Sequence, residues 1–251
     1  MESVLMLESV VIGYKRQIYP EINAELSKGE VVALIGPNGI GKSTLLKSIS
    51  GIQKFRRGSI TVMGKKLYEY KPGSLAQEVS YVPSQSQRAK NLSLFDMVST
   101  GCYRRSDWLG RISSKERQFV VNTLKKVGLS ELAGRDSSEL SDGEYQRAAI
   151  ARSLVQNSSI ILLDEPTAFL DIENKITVTR LLKEIAGTEG KSIIFSTHDL
   201  QQAVKICNQI WIMGYDGFMY GTPDELITQG AFEKIFKSSS LIFDKRLFTF
   251  V

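Results

Sequence analysis

The apolar positions of this chain gather into short continuous runs. Residues 31–35, 160–163, 192–196 and 210–213 are almost wholly apolar and rich in β-branched side chains. A strand covered on one face alternates between apolar and polar, whereas one covered on both faces does not. These runs therefore predict strands of a mostly parallel sheet with helices on each side. Residues 5–12 alternate in part and stop at Gly13, as expected of an N-terminal antiparallel β region. Helical spacing is found in residues 44–50, 170–185 and 200–207. The class predicted is α/β.

The stretch 91–155 reads differently. It offers no strand pattern, only helical pieces at 94–100, 115–127 and 144–155, interrupted by Gly101, Gly110, Gly128 and Gly134. It is expected to form a helical subdomain (91–155) inserted into an α/β core made of residues 1–90 and 156–251. The tail 231–251 is rich in Phe, Leu and Ile, and is expected to pack as a helix and a strand on its own domain, the alternative being a second contact surface in a dimer.

Composition narrows the classes. The chain has 251 residues, 42% hydrophobic and 24% charged, with a net charge of +5 and a pI of about 9.1. Its cations are spread along the sequence rather than banked on one segment, which argues against a nucleic-acid partner. Two distant cysteines, Cys102 and Cys207, and the single His198 give no zinc spacing and suggest a reducing compartment. The N-terminus lacks the basic segment of a signal peptide, and no apolar run is long enough to span a bilayer. Any membrane association is expected to run through a partner.

The chemistry begins at the strand 31–35, which feeds Gly36-Pro37-Asn38-Gly39-Ile40-Gly41-Lys42-Ser43-Thr44. This fits the phosphate-binding pattern G-x-x-x-x-G-K-[ST] between a strand and a helix. The glycines let successive backbone N–H groups turn toward phosphate oxygens, and the helix start adds its free N–H groups and positive dipole end. Lys42 is expected on the β- and γ-phosphates, Ser43 on Mg²⁺ and Thr44 near the α-phosphate. The run 160–163 then ends in Asp164 and Glu165. The first is positioned to hold Mg²⁺ and the second to polarise an attacking water as general base.

Further elements resemble the ATP-binding cassette (ABC) ATPases. Leu140-Ser141-Asp142-Gly143-Glu144 is similar to that family's LSGGQ signature, and Ser141 with Glu144 also has capping-box spacing. Asp142 departs from the usual glycine, and its carboxylate is expected to face outward or join the cap. Gln85 matches the family's glutamine loop, which contacts Mg²⁺ or the water. Leu170 and Asp171 match its dimer-contact loop, and His198 its switch histidine. Tyr14 resembles the aromatic that stacks on adenine, with Tyr19 as the fallback. The resemblance covers about residues 2–225. It implies a P-loop ABC nucleotide-binding domain whose catalytic set is Lys42, Gln85, Glu165 and His198. It also implies a head-to-tail homodimer in which one subunit's signature closes over the ATP held by the other.

The tasks of that family can be sorted. Ser141 lies only about 100 residues after Lys42, which leaves no room for the long coiled coil of DNA-repair members. A single cassette without a membrane segment resembles the stand-alone subunit that drives a separate permease. Ser196-Thr197-His198-Asp199-Leu200, residues 221–226 and an imperfect match at residues 100–104 resemble importers of iron chelates, haem or cobalamin. Such a subunit would sit on the cytoplasmic face of the inner membrane, with permease subunits and an extracytoplasmic solute-binding protein as partners. The alternatives are another ABC transporter, exporting, or importing ions, amino acids or lipids, and a non-transport ABC ATPase.

Overall fold

The structure, a computed structural model, describes residues 2–84, 88–235, 243–244 and 249–250. Two sheets organise it. The first is antiparallel, in the order β2-β1-β4-β5, from β1 (Ser3–Gly13), β2 (Gln17–Ser27), β4 (Arg57–Val62) and β5 (Lys65–Lys66). The second holds β3 (Val31–Ile35), β6 (Val79–Val82), β7 (Ile160–Leu163), β8 (Ser192–Ser196), β9 (Gln209–Gly214) and β10 (Gly217–Gly221), in the order β10-β9-β3-β8-β7-β6. All its pairings are parallel except the β9–β10 hairpin.

The continuous apolar runs are explained by the two clusters they feed. Val32, Leu34, Ile160, Leu162, Ile194, Trp211 and Met213 face one cluster, shared with the antiparallel sheet and with α1 (Lys42–Ile49). Their neighbours Val31, Ala33, Ile35, Ile161, Leu163, Ile193, Phe195, Ile210 and Ile212 face the other. Period two is thus intact, but both faces are apolar because both are covered.

Between β6 and β7 run α2 (Leu94–Ser99), a 3-10 helix (Thr100–Arg105), α3 (Ser114–Lys126) and α4 (Asp142–Gln156). Helices α5 (Ile172–Glu189), α6 (Leu200–Ile206) and α7 (Pro223–Thr228) follow. Boundaries differ from the sequence expectation where a cap decides them. Asp171 accepts from Asn174 N–H at 2.8 Å, so α5 starts after it, and α5 runs on to a left-handed Gly190 (φ 62°). Helical turns continue through Gly101, where a break was expected.

The strand β2 gives a broken sequence signal. Ile18 and Pro20 are among its exposed residues and interrupt the period, which is regular only from Ile22 to Leu26; Tyr19, Ile22, Ala24 and Leu26 are buried. Proline is tolerated there because β2 is an edge strand. In the tail, the described parts include a short pair, β11 (Phe243–Asp244) with β12 (Thr249–Phe250). The rings of Phe232 and Phe243 stack at 4.6 Å and join the core. The remainder of that tail lies outside the described residues.

Candidate active site

Strand β3 delivers residues 36–41 to the start of α1. Gly41 is the N-cap, at φ 120°, and no side chain caps the helix. That backbone strongly favours glycine, and it leaves the first N–H groups of α1 available to an anion. Lys42 is 5% exposed. Its ammonium curls back, donating to the carbonyls of Gly36 (2.8 Å) and Pro37 (3.2 Å), and lies 3.4 Å from His198 Nε2. Burial lowers its pKa, while the nearby Glu165 and Asp164 carboxylates pull the other way.

Strand β7 ends in the two acids, and the backbone sends them in different directions. Asp164 is buried, and its N–H still donates to the Val82 carbonyl of β6 at 2.9 Å. Ser196 Oγ donates to its Oδ1 at 2.8 Å, and Tyr81 OH to its Oδ2 at 3.3 Å. Glu165 has a left-handed backbone (φ 49°), an unusual conformation for a non-glycine residue. Such strain costs about 1–3 kcal/mol and must be held in place. Here the Glu165 N–H donates to Ser196 Oγ at 2.7 Å. The turn brings Glu165 Oε1 to 3.2 Å from His198 Nε2. Glu165, His198 and Lys42 therefore form one contact chain beside the phosphate-type loop.

A cavity of about 170 Å³ is lined by Asn38, Gly39, Gly41, Lys42, Ser43, Thr44 and Glu165, with Ile18 of β2 at its wall. Gly36, Pro37 and Ile40 belong to the same loop but do not line it. Among the described residues no cluster of three His, Cys, Asp or Glu could hold a metal ion. The oxygen donors near the cavity, Ser43 and Asp164, instead suit a hard cation such as Mg²⁺, which takes few protein ligands and completes its shell from phosphate and water. Gln85, expected to join them, lies outside the described residues.

Other expected residues stand apart from this cavity. Tyr14 is in the turn between β1 and β2, 56% exposed, with Arg56 donating to its carbonyl at 2.9 Å. Tyr19 is not available for stacking and that fallback fails. Its ring is in the core, its hydroxyl donates to the Gly214 carbonyl at 2.7 Å, and burial pushes its pKa up to about 12.

Residues 140–144 form the start of α4. Ser141 is the N-cap, and the capping box is complete. Its N–H and hydroxyl donate to Glu144 Oε2 at 2.8 and 2.9 Å, and its oxygen accepts from Glu144 N–H at 3.3 Å. These bonds lower the Glu144 pKa. Asp142 faces outward and is ion-paired to Arg88. Gly143 abuts Asn174 of α5, where a Cβ would stand 2.3 Å from Oδ1. Leu170 is buried and Asp171 caps α5. Leu170 and Asp142 share the wall of a different cavity, of about 280 Å³. None of residues 140–144 lines the cavity at the phosphate-type loop.

The sequence pattern missed Ser196, Tyr81 and Arg88. Ser196 was legible only as the end of a strand and the first residue of the importer-like segment 196–200. Its role arises because β8 is the parallel neighbour of β7, with Leu163 opposite Phe195.

Comparison with known proteins gives the family and the fold. A family model described as ABC transporter matches residues 19–168. The petrobactin import ATP-binding protein FpuD of Bacillus anthracis is 34% identical over 99% of this chain and 92% of its own. The manganese transport system ATP-binding protein MntB of Halalkalibacterium halodurans is 28% identical, over 98% and 97% respectively. An inward-facing ABC transporter structure, described as of the metal-chelate type, superposes with a TM-score of 0.84 at 28% identity, covering 100% of this chain and 97% of that one. A dimeric bacterial ABC transporter cassette gives 0.73 at 28% identity, covering 82% and 93%.

Proposed function

The chain belongs to the ATP-binding family of ABC transporters, and from that premise we propose that it powers an importer of iron chelates, haem or cobalamin. It is an ATPase subunit of an ABC transporter. Its fold is that of the ABC nucleotide-binding cassette. No helix among the described residues is long and apolar enough to cross a membrane. In this reading a separate permease holds it at the cytoplasmic face of the inner membrane, and an extracytoplasmic protein hands over the solute.

The observation that carries the catalytic reading is the contact chain Glu165–His198–Lys42 beside the loop. Lys42 and the loop N–H groups take the β- and γ-phosphates. Ser43 and Asp164 would hold Mg²⁺, with Gln85 as the third expected contact. Bound magnesium would neutralise phosphate charge as the γ-phosphoryl leaves. Glu165 orients the attacking water and accepts its proton. His198 fixes the carboxylate and meets the γ-phosphate. Tyr14 stacks on adenine. Residues 140–144 of a second copy complete the site, with Leu170 and Asp171 at the contact, so the working unit is a homodimer.

The solute assignment rests on similarity along nearly the whole chain to the petrobactin relative and to the metal-chelate structure. The manganese relative supports a second reading, import of the bare metal ion. Uptake separates the two. Cells whose only copy carries Glu165→Gln should lose accumulation of labelled ferric siderophore and keep that of labelled manganese. Loss of manganese uptake alone would reverse the assignment.

A further inference from the structure

The first turn of α4 carries two carboxylates, Asp142 and Glu144, on a helix end that the reading above turns toward a triphosphate. Like charges at close range oppose each other, so both need an explanation. Glu144 is turned back on Ser141 through the capping box. Asp142 has no such tether within α4 and its side chain is 69% exposed. Its partner comes from elsewhere. Arg88 donates through Nη1 to the Leu140 carbonyl and through Nη2 to Asp142 Oδ1. Its guanidinium also lies 4.9 Å from the centre of the Tyr145 ring. One arginine thus grips the turn on both sides of Ser141 and again one turn into the helix. Arg88 is only three residues beyond Gln85 in the sequence.

We propose that Arg88 is a positioning residue for the Ser141 turn: it neutralises Asp142 and fixes the turn, so that a helix end bearing an aspartate can receive the phosphates of a partner's ATP. Arginine suits the task because its planar fork reaches a carbonyl and a carboxylate together while its face covers a ring. Lysine can replace the charge but not the planar fork or the face that covers the ring. The proposal accounts for Asp142, where the family usually has glycine. The aspartate is tolerated because its charge is cancelled within the same chain.

The proposal rests on the shared-site reading, and the test separates the two. ATP-dependent dimerisation of the full chain is measured in a Glu165→Gln background, by sedimentation across an ATP titration. If that parent does not dimerise with ATP, the shared-site reading fails and the Arg88 proposal falls with it. If it dimerises, Arg88→Ala should raise the ATP needed about fivefold, more at low salt, as expected of a partly exposed charge. Adding Asp142→Gly to Arg88→Ala should restore the parent requirement, and Arg88→Lys should fall between. A destabilised turn would instead lower the thermal midpoint and would not be rescued by removing the aspartate. Unchanged dimerisation of Arg88→Ala, or failure of Asp142→Gly to rescue it, overturns the proposal.

Discussion

At the scale of single residues, Ser196 is the side chain on which the acids depend. Its hydroxyl has one proton, which goes to Asp164 Oδ1, and its lone pair takes the N–H of strained Glu165. Ser196→Ala removes both bonds while adding no bulk. A buried acceptor and a donor then lose partners, at about 1–3 kcal/mol. Relaxation of Glu165 from its left-handed backbone would swing its carboxylate away from His198. Misplacement by about 1 Å can cost roughly 100-fold in rate. The expected outcome is kcat down about 10- to 100-fold with ATP affinity nearly kept, read from steady-state hydrolysis beside equilibrium nucleotide binding. Equal losses in both would mean the serine supports the whole fold and not the acids. Cys207 marks the contrast between reactive and structural groups in the same core. Burial raises its thiol pKa, which fits a packing role.

At the scale of elements, the contact between α4 and α5 sets where the signature turn sits. Gly143 lets Asn174 approach, and Asn174 also accepts from Arg147 at 2.9 Å. An alanine Cβ would stand 2.3 Å from that oxygen. Asn174 is at the end of a short flexible side chain and can move, but then it leaves Arg147. Alanine meanwhile gains about 1 kcal/mol of helix propensity over glycine. These effects oppose, so Gly143→Ala alone should be near neutral or mildly destabilising. In an Asn174→Ala background the clash is gone and the same substitution should stabilise by about 0.5–1 kcal/mol. Urea unfolding of the parent and the three variants checks the sign change. This coupling was invisible in the sequence, because Gly143 and Asn174 meet only through packing of two helices. The helices themselves were legible from their apolar spacing, and Ser141 with Glu144 marked the start of α4, but the Asp171 cap that starts α5 was not read. Strand β2 was not read, because it alternates only from Ile22 to Leu26 and Pro20 with Glu21 breaks the period before that.

At the scale of the whole molecule, the proposed catalytic parts divide into two sets. Lys42, Ser43 and Glu165 share a cavity, while Asp142 and Leu170 line another. The first set was readable because each motif sits at a strand end, and a parallel sheet brings its strand ends together. The second was readable only as motifs, since no single chain tells where an exposed helix end is used. Two-fold symmetry makes a definite expectation from this division. In a symmetric pair each site would combine one chain's loop with the other's α4. Lys42→Ala chains then spoil the loop of their own site, and Ser141→Ala chains spoil the site of their partner. A mixed pair keeps one site in which both parts are intact, formed by the loop of the Ser141→Ala chain and the helix end of the Lys42→Ala chain. Random equal mixing makes half the pairs mixed, so about a quarter of the parent's intact sites should return, against almost none in either variant alone. Steady-state hydrolysis across mixing ratios should peak at equal amounts. A flat, inactive profile would mean that each chain completes its own site, and the arrangement of the two sets would need another explanation.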